Sequence, residues 1–508
     1  MKTVLSVMIF LCIAATGFSQ VPADALRYSF ITGQGGTARN QAIGGAGGSL
    51  GGEFSSMFIN PAGLGFYKTG DFVITPVFSS KLNESTYLNN VVNQENNKLS
   101  LSTTGLAFAS NTPHKKVKNV TIGIGINRQA DFNNHIYYYG ENNNSSYSEK
   151  YLEELINNNV TDPNSAASDY PFGASMAFNT YLIDTLAGPS GEVVGYKSQA
   201  DPSYGLGQRM DMKTKGGITD ASLAVGVNME DKWFFGGSLS FPFLKYTRYA
   251  DFKEDDLGAN PYFDYFEANE MLETKGVGIN AKLGVIYKPM ESVRLGLAFH
   301  SPTFYQLTDY YNMQIIADLQ AYTGQGALQQ SSSDLNDGDL LRSKYNMSTP
   351  WRAILSGSYV IGASPTVKQQ KGFITADVEY VNYTNMAFHS ASNNAAYATY
   401  YKEVNKTIDD LYRDAVNVRI GGEVKLNTFM VRLGGAYYGN PYKDQTGGVS
   451  KVTGGIGYRN GGMFIDLAMN YAITKDVDYP YLLQDKPNNS ASIKTTGSQV
   501  ALTVGFKL

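Results

Sequence analysis

The sequence predicts an all-β chain: a 14-stranded antiparallel transmembrane β-barrel with an N-terminal plug segment and partly helical extracellular loops. Three observations carry this. The 508 residues include 53 Gly and 36 Tyr with only 17% charged residues, a profile of strands and turns rather than helices. Segment after segment alternates apolar and polar over ten or more residues, whereas ordinary strands run to about five or six; that length suits a tilted strand crossing a bilayer. The connections are short on one side and long on the other, the layout of bacterial barrels, with short turns periplasmic.

Taken in order, residues 1–20 carry one early cation, Lys2, an apolar run from Val4 to Ala15, and small residues Gly17 and Ser19 at signal-peptidase spacing. They read as a cleaved secretory signal. The only cysteine, Cys12, leaves with it, so no disulfide, thiolate metal site or cysteine nucleophile is expected. Net charge is −4, too weak to imply nucleic acid. No later apolar run reaches the roughly 18 residues of a membrane helix.

Residues 21–70 form the expected plug segment. The stretch GQGGTARNQAIGGAGGSLGG, residues 33–52, is too glycine-rich for a wall strand, and glycine permits close backbone approach. It leads to MFINPAGLGFYKTGDFVITP, where Asn60-Pro61 is a turn signal placed to reverse the chain into the wall.

Residues 71–508 form the expected barrel. Strands are placed near 71–80, 98–110, 117–130, 212–229, 232–250, 274–288, 292–309, 347–362, 371–387, 414–426, 428–439, 449–459, 462–474 and 493–508. In one of them Val277, Ile279, Ala281, Leu283, Val285 and Tyr287 share an oily face. Lys282, Arg294, Asp377, Glu379, Arg419, Glu423, Arg432 and Asp466 fall on the other face and must point into a lumen, and hydrocarbon demands closure of the sheet. The long connections are 131–211, 251–273, 310–346 and 388–413. Helical stripes are read at Tyr151, Leu152, Leu155 and Ile156, and at Val404, Ile408, Leu411 and Tyr412.

The segment GTARNQAIGGAGGSLGGEFSSMFINPAGLGF resembles the plug of the FadL/TodX outer-membrane transporters of hydrophobic compounds. The resemblance continues through GVGINAKLGVIYKPMESVRLGLAFHSP, STPWRAILSGSY, ADVEYVNYTNMAF and NVRIGGEVKLNTFMVRLGGAYYGNP, in order and over most of the mature chain. The long second loop and the terminal Lys507-Leu508 depart from better-known members. The resemblance implies a monomer in the outer membrane of a Gram-negative bacterium, bathed in its lipid. It implies a hydrophobic, fatty acid-like ligand caught among the loops, held beside the plug and released sideways at a kinked third strand. That strand is VTIGIGINRQADF, where lumen-facing Gly123 and Gly125 are the gate candidates. Phe54, Phe58, Asn60, Pro61, Ala62, Phe66 and Tyr67 are the candidates for ligand or plug contacts.

No enzyme, metal or cofactor is expected. Gly47-Gly48-Ser49-Leu50-Gly51 matches a nucleophile elbow in letters but lacks its strand and helix. His114, His135, His300 and His389 show no metal-ligand spacing, although some relatives are labelled hemin receptors. A passive importer therefore competes with a non-transporting partner of a protein-secretion machine, meeting a protein through the long loops.

Overall fold

Alternation gives each wall strand one oily and one polar face, and pairing their edges rolls the sheet until its ends meet. The structure, a computed structural model describing residues 20–33, 35–112, 116–364 and 370–508, shows that ring. The signal read over the first residues, Cys12 and His114 fall outside the described residues, Gln20 apart. The strands are β1 (Asp71–Tyr87), β2 (Asn90–Asn111), β3 (Val117–Asp131, resuming as Asn134–Asn142), β4 (Leu206–Met229), β5 (Trp233–Asp256), β6 (Tyr265–Met290) and β7 (Val293–His300, resuming as Phe304–Asp318). They continue as β8 (Leu341–Ser348, resuming as Arg352–Ile361), β9 (Gly372–Val381, resuming as Ala387–Ser390), β10 (Ala415–Leu426), β11 (Phe429–Gly439), β12 (Gly448–Asn460), β13 (Met463–Asp478) and β14 (Ala491–Lys507). β14 pairs antiparallel with β1, Lys507 opposite Asp71 and Ser492 opposite Thr86, which closes the wall.

The outer face is apolar and flanked by aromatic rims. At the short-turn end Trp233 stacks on Tyr287 at 4.3 Å, and Phe429 meets Tyr458 at 5.2 Å. At the other rim Trp351 sits 5.9 Å from Phe299 and 5.4 Å from Tyr380. Such girdles mark the two interfaces of a membrane-spanning band. Among the described residues no helix is long and apolar enough to cross a membrane. Strands do the crossing, and this is a barrel of the outer-membrane type.

The wall reaches far beyond that band. Residues 81–97, read as a connection, are strand up to a two-residue hairpin at Leu88 and Asn89, both with positive φ. Most of 251–273 is also strand, since β5 has 24 residues and β6 has 26. Above the bilayer the outward face turns polar, so alternation fades while the ladder continues. The expected helices do form there. Helix α1, Glu149–Asn157, buries Tyr151 and Leu155, and α2, Ala395–Leu411, buries Val404 and Ile408. Breaks in β7 and β8 fall at Ser301-Pro302-Thr303 and Thr349-Pro350-Trp351, where proline removes a ladder donor.

Residues 36–66 lie against the lumenal face of the wall. The Gly36 amide donates to Asn127 Oδ1 at 2.7 Å and the Ala38 amide to Thr503 Oγ1 at 2.7 Å. Thr375 Oγ1 donates to the Ala46 carbonyl at 3.1 Å, and Thr453 Oγ1 to that of Ala42 at 2.9 Å. Gly421 and Gly434, opposite each other on β10 and β11, let the Ile43 backbone press into the wall; a Cβ on Gly434 would stand 2.3 Å from the Ile43 carbonyl carbon. At the chain reversal the Ala62 amide donates to Asn60 Oδ1, capping the turn Pro61–Phe66.

Candidate functional site

The third strand breaks the wall. β2 pairs with β3 only from Thr103, opposite Asn127, to Asn111, opposite Asn119. Its remaining length, residues 90–102, stays paired with β1 on one edge and has no β3 partner on the other. β3 meanwhile keeps to β4, through Asp131 opposite Gly217 and Asn134 opposite Thr214.

Between those last two residues, at Phe132-Asn133, β3 steps inward over the lumenal face of β1. Lys81 Nζ donates to the Asn133 carbonyl at 2.7 Å, Asn83 Nδ2 donates to the His135 carbonyl at 2.6 Å, and the Tyr87 and Tyr138 rings lie 4.9 Å apart. The result is a seam whose membrane end is bordered on its outer side by exposed Leu99 and Leu101, so that end faces hydrocarbon. Unpaired backbone at membrane depth is tolerated only where it is covered by protein or lines a cavity.

A cavity of about 310 Å3 lies at this place. Its lining joins Ser100 and Ser102 on one border of the seam to residues 128–132 on the other, with parts of residues 27–45 and wall residues Lys451, Asn470 and Gln499. Four cations line it, Arg27, Lys81, Arg128 and Lys451, against one acid, Asp131. Arg27 pairs with Asp24 and Arg128 with Asp131. Among the described residues Lys451 Nζ donates only to the Thr32 carbonyl, at 3.2 Å, and neither it nor Lys81 has a carboxylate within 4.0 Å. The cavity therefore carries an excess of positive charge and is lined on one side by both borders of the seam.

The residues singled out in the sequence lie elsewhere. Phe54, Phe58, Asn60, Ala62 and Tyr67 are buried against the wall, and none of them lines the seam cavity. Phe66 stacks on Phe234 with centroids 3.7 Å apart, and Pro61 packs over Gly236. Gly123 and Gly125 sit in unbroken ladder, opposite Ala107 and Gly105 on one side and Ala224 and Ser222 on the other, with Met57 and Leu64 near Gly123 and Phe54 on Gly125. The kink is at Phe132-Asn133 instead, close to Asp131 and Asn133, polar residues that hydrogen-bond across the turn. Lys451 was legible by parity, since it shares the lumenal face of β12 with Thr453.

Of the eight lumenal charges named from the sequence, all but Arg294 are ion-paired among the described residues, and Arg294 donates instead to the Leu50 carbonyl. Arg432 reaches Glu423 at 2.7 Å and Asp466 at 2.6 Å, and Arg39 reaches the same Glu423 at 3.1 Å. Arg419 lies 2.5 Å from Glu379, which Arg352 approaches at 3.3 Å. Lys282 pairs with Asp220 at 3.2 Å. Arg39 is the member that ties the N-terminal segment to this network.

No group of three or more metal-ligating side chains occurs among the described residues. His135 is engaged by Asp211 at 2.8 Å and His389 by Ser348 at 3.2 Å, on separate strands, while His300 Nε2 donates to the Ile59 carbonyl at 2.7 Å.

Among solved structures, a FadL homologue of Pseudomonas aeruginosa superposes with a TM-score of 0.56 at 12% identity, over 93% of this chain and 98% of that one. The chain has the FadL fold. Two further structures with lower scores are the Pseudomonas putida toluene transporter TodX, with a TM-score of 0.47 at 12% identity over 94% and 99%, and the CymD monoaromatic hydrocarbon channel, with 0.46 at 11% over 94% and 98%. No family model and no curated protein matches the sequence. At 12% identity the likeness is one of fold alone.

Proposed function

We propose that the protein is a channel for passive uptake of hydrophobic small molecules with an acidic head, such as long-chain fatty acids, across the outer membrane of a Gram-negative bacterium. The observation that carries this reading is the seam cavity: it joins a break in the wall to two half-buried cations, Lys81 and Lys451, that have no carboxylate within 4.0 Å among the described residues. An apolar chain is drawn in by burial, at about 25 cal/mol per Å2 before the costs of association. Its carboxylate meets Lys451 and Lys81. Exit then follows the seam between β2 and β3 into the membrane, with no step through bulk water. Residues 21–70 act as the plug that holds the cavity shut toward the periplasm, with Asn60-Pro61-Ala62 as its hinge into the wall and Phe54, Phe58, Phe66 and Tyr67 as its wedges.

The test separates head from tail. Replacing Lys451→Gln removes one charged donor, a contact worth about 1.5–3 kcal/mol, so oleate should bind about tenfold more weakly or worse. Oleyl alcohol, which lacks the charge, should keep its affinity. Equal losses for both, or none, would reject the assignment of the carboxylate to this cavity.

A second reading, a non-transporting partner of a protein-secretion machine, is favoured by one feature. The outer cap built on residues 143–205 leaves Ile156, Tyr181, Leu186 and Val194 exposed. The channel reading requires only the seam and its cavity, which a static partner has no use for.

A further inference from the structure

The outer face of the barrel is not uniform around its circumference. Along β5 the outward side chains run Phe241, Phe243, then Lys245, and along β6 they run Ile279, Val277, then Lys275. Each cation is the first outward residue beyond the apolar belt. Lys245 and Lys275 are directly opposite each other in the ladder. Lys275 and Lys344 both face Thr308, one from each side. Arg342, paired with Tyr310, stands two residues beyond Lys344, and Lys215 lies diagonal to Lys245 through the Gly217 pair.

These five cations on β4, β5, β6 and β8 form one row. Neighbouring strands are about 4.8 Å apart, so the row spans roughly 20 Å. Like charges placed opposite one another in a sheet repel. One carboxylate offsets them: Glu273, 2.6 Å from Lys275 and 3.6 Å from Lys245. Among the described residues Lys215, Arg342 and Lys344 have no carboxylate within 4.0 Å, and Arg342 lies over the Tyr310 ring at 5.8 Å. On the opposite flank the outward charges cancel, Lys475 and Lys494 standing with Glu84 and Glu95, and Lys494 reaching Glu84 at 3.5 Å.

We propose that this flank, β4 to β8, is a binding surface for a phosphate-bearing lipid of the outer leaflet. A molecule there has its acyl chains against Phe241, Phe243, Val277 and Ile279 and its phosphates at Lys215, Lys245, Lys344 and Arg342. Continuity of the basic row with the apolar belt selects a lipid over a soluble anion, which gains nothing from the belt. Two phosphates on one head group match a row of this breadth better than a single phosphodiester does. The bound lipid offsets the repulsion within the row and fixes the barrel's orientation relative to its neighbours in the membrane, with the seam beyond the β4 edge of the row.

The test is native mass spectrometry of the full chain in mild detergent, titrated with bisphosphorylated lipid A, with the same lipid after phosphatase treatment, and with phosphatidylcholine. Each basic residue near an anionic lipid surface is worth about fivefold in affinity. The variant Lys215→Gln, Lys245→Gln, Arg342→Gln, Lys344→Gln should therefore bind lipid A at least about tenfold more weakly, while Lys475→Gln, Lys494→Gln leaves binding unchanged. The heat-dependent electrophoretic shift of a folded barrel confirms that each variant is intact. If the four-site variant fails to fold, the wild-type comparison decides: intact lipid A must outcompete its dephosphorylated form. Equal binding of the two forms, equal losses in both variants, or displacement of the lipid by inorganic phosphate alone would each overturn the proposal.

Discussion

Protein lacking residues 21–59 is expected to insert as a closed barrel and to lose saturable uptake of a fatty acid entirely. The wall does not depend on those residues for closure, because β14 pairs with β1 and every other ladder runs between wall strands. The cavity does depend on them. Arg27, residues 30–33, Gly35, Asn40, Gln41, Gly44 and Gly45 make up one side of its lining. Without them the lumen fills with water, the network charges become hydrated, and an apolar chain finds no dry surface. Reconstituted in liposomes, the truncated barrel should pass small polar solutes and take up oleate, if at all, in linear proportion to its concentration. Saturable uptake by the truncated protein would refute the plug role proposed for this segment.

The substitution Arg432→Met is expected to destabilise the barrel by about 3–5 kcal/mol, the cost of removing one partner of a buried ionic group. Arg432 is fully buried and holds two carboxylates at once, Glu423 and Asp466. After substitution Glu423 keeps Arg39, but Asp466 has no other ion-pair partner among the described residues. The double change Arg432→Met, Asp466→Leu should recover part of the loss, because it removes the stranded charge together with its partner. Urea unfolding in lipid vesicles, read by tryptophan fluorescence, measures both. A loss below about 1 kcal/mol for the single variant would mean that water reaches this part of the lumen, and that the charged pairs do not bind the N-terminal segment to the wall.

The barrel was legible because membrane strands obey a strict parity. Val277 to Tyr287 and Val416 to Leu426 each show one oily face, and hydrocarbon allows no other arrangement. Where that constraint ends, the reading ended too. Residues 81–97 and much of 251–273 passed for loops because strands above the bilayer have solvent on one side and cap contacts on the other, so neither face needs to be apolar. The seam was less legible for a different reason. Gly123 and Gly125 drew attention as missing side chains, yet glycines here admit Phe54 and Met57 to an intact wall. The kink is written instead in Asp131-Phe132-Asn133, a polar turn that an extended strand does not need and that no periodicity reveals. Of the aromatics around Asn60, Phe54, Phe58 and Tyr67 are buried and Phe66 is half-buried, but a sequence does not say which side of such a segment meets the wall.

The central claim is that the lumen holds an apolar ligand at the seam cavity, and the most direct measurement is mass spectrometry of the small molecules that co-purify with the mature protein. The same preparation lacking residues 21–59 serves as the comparison. The account predicts an amphiphile with an apolar chain and an acidic head on the full-length protein and not on the truncated one. Phosphorylated lipid held on the outer flank should remain on both. A full-length barrel that carries no such amphiphile, or carries it equally after truncation, would contradict the claim.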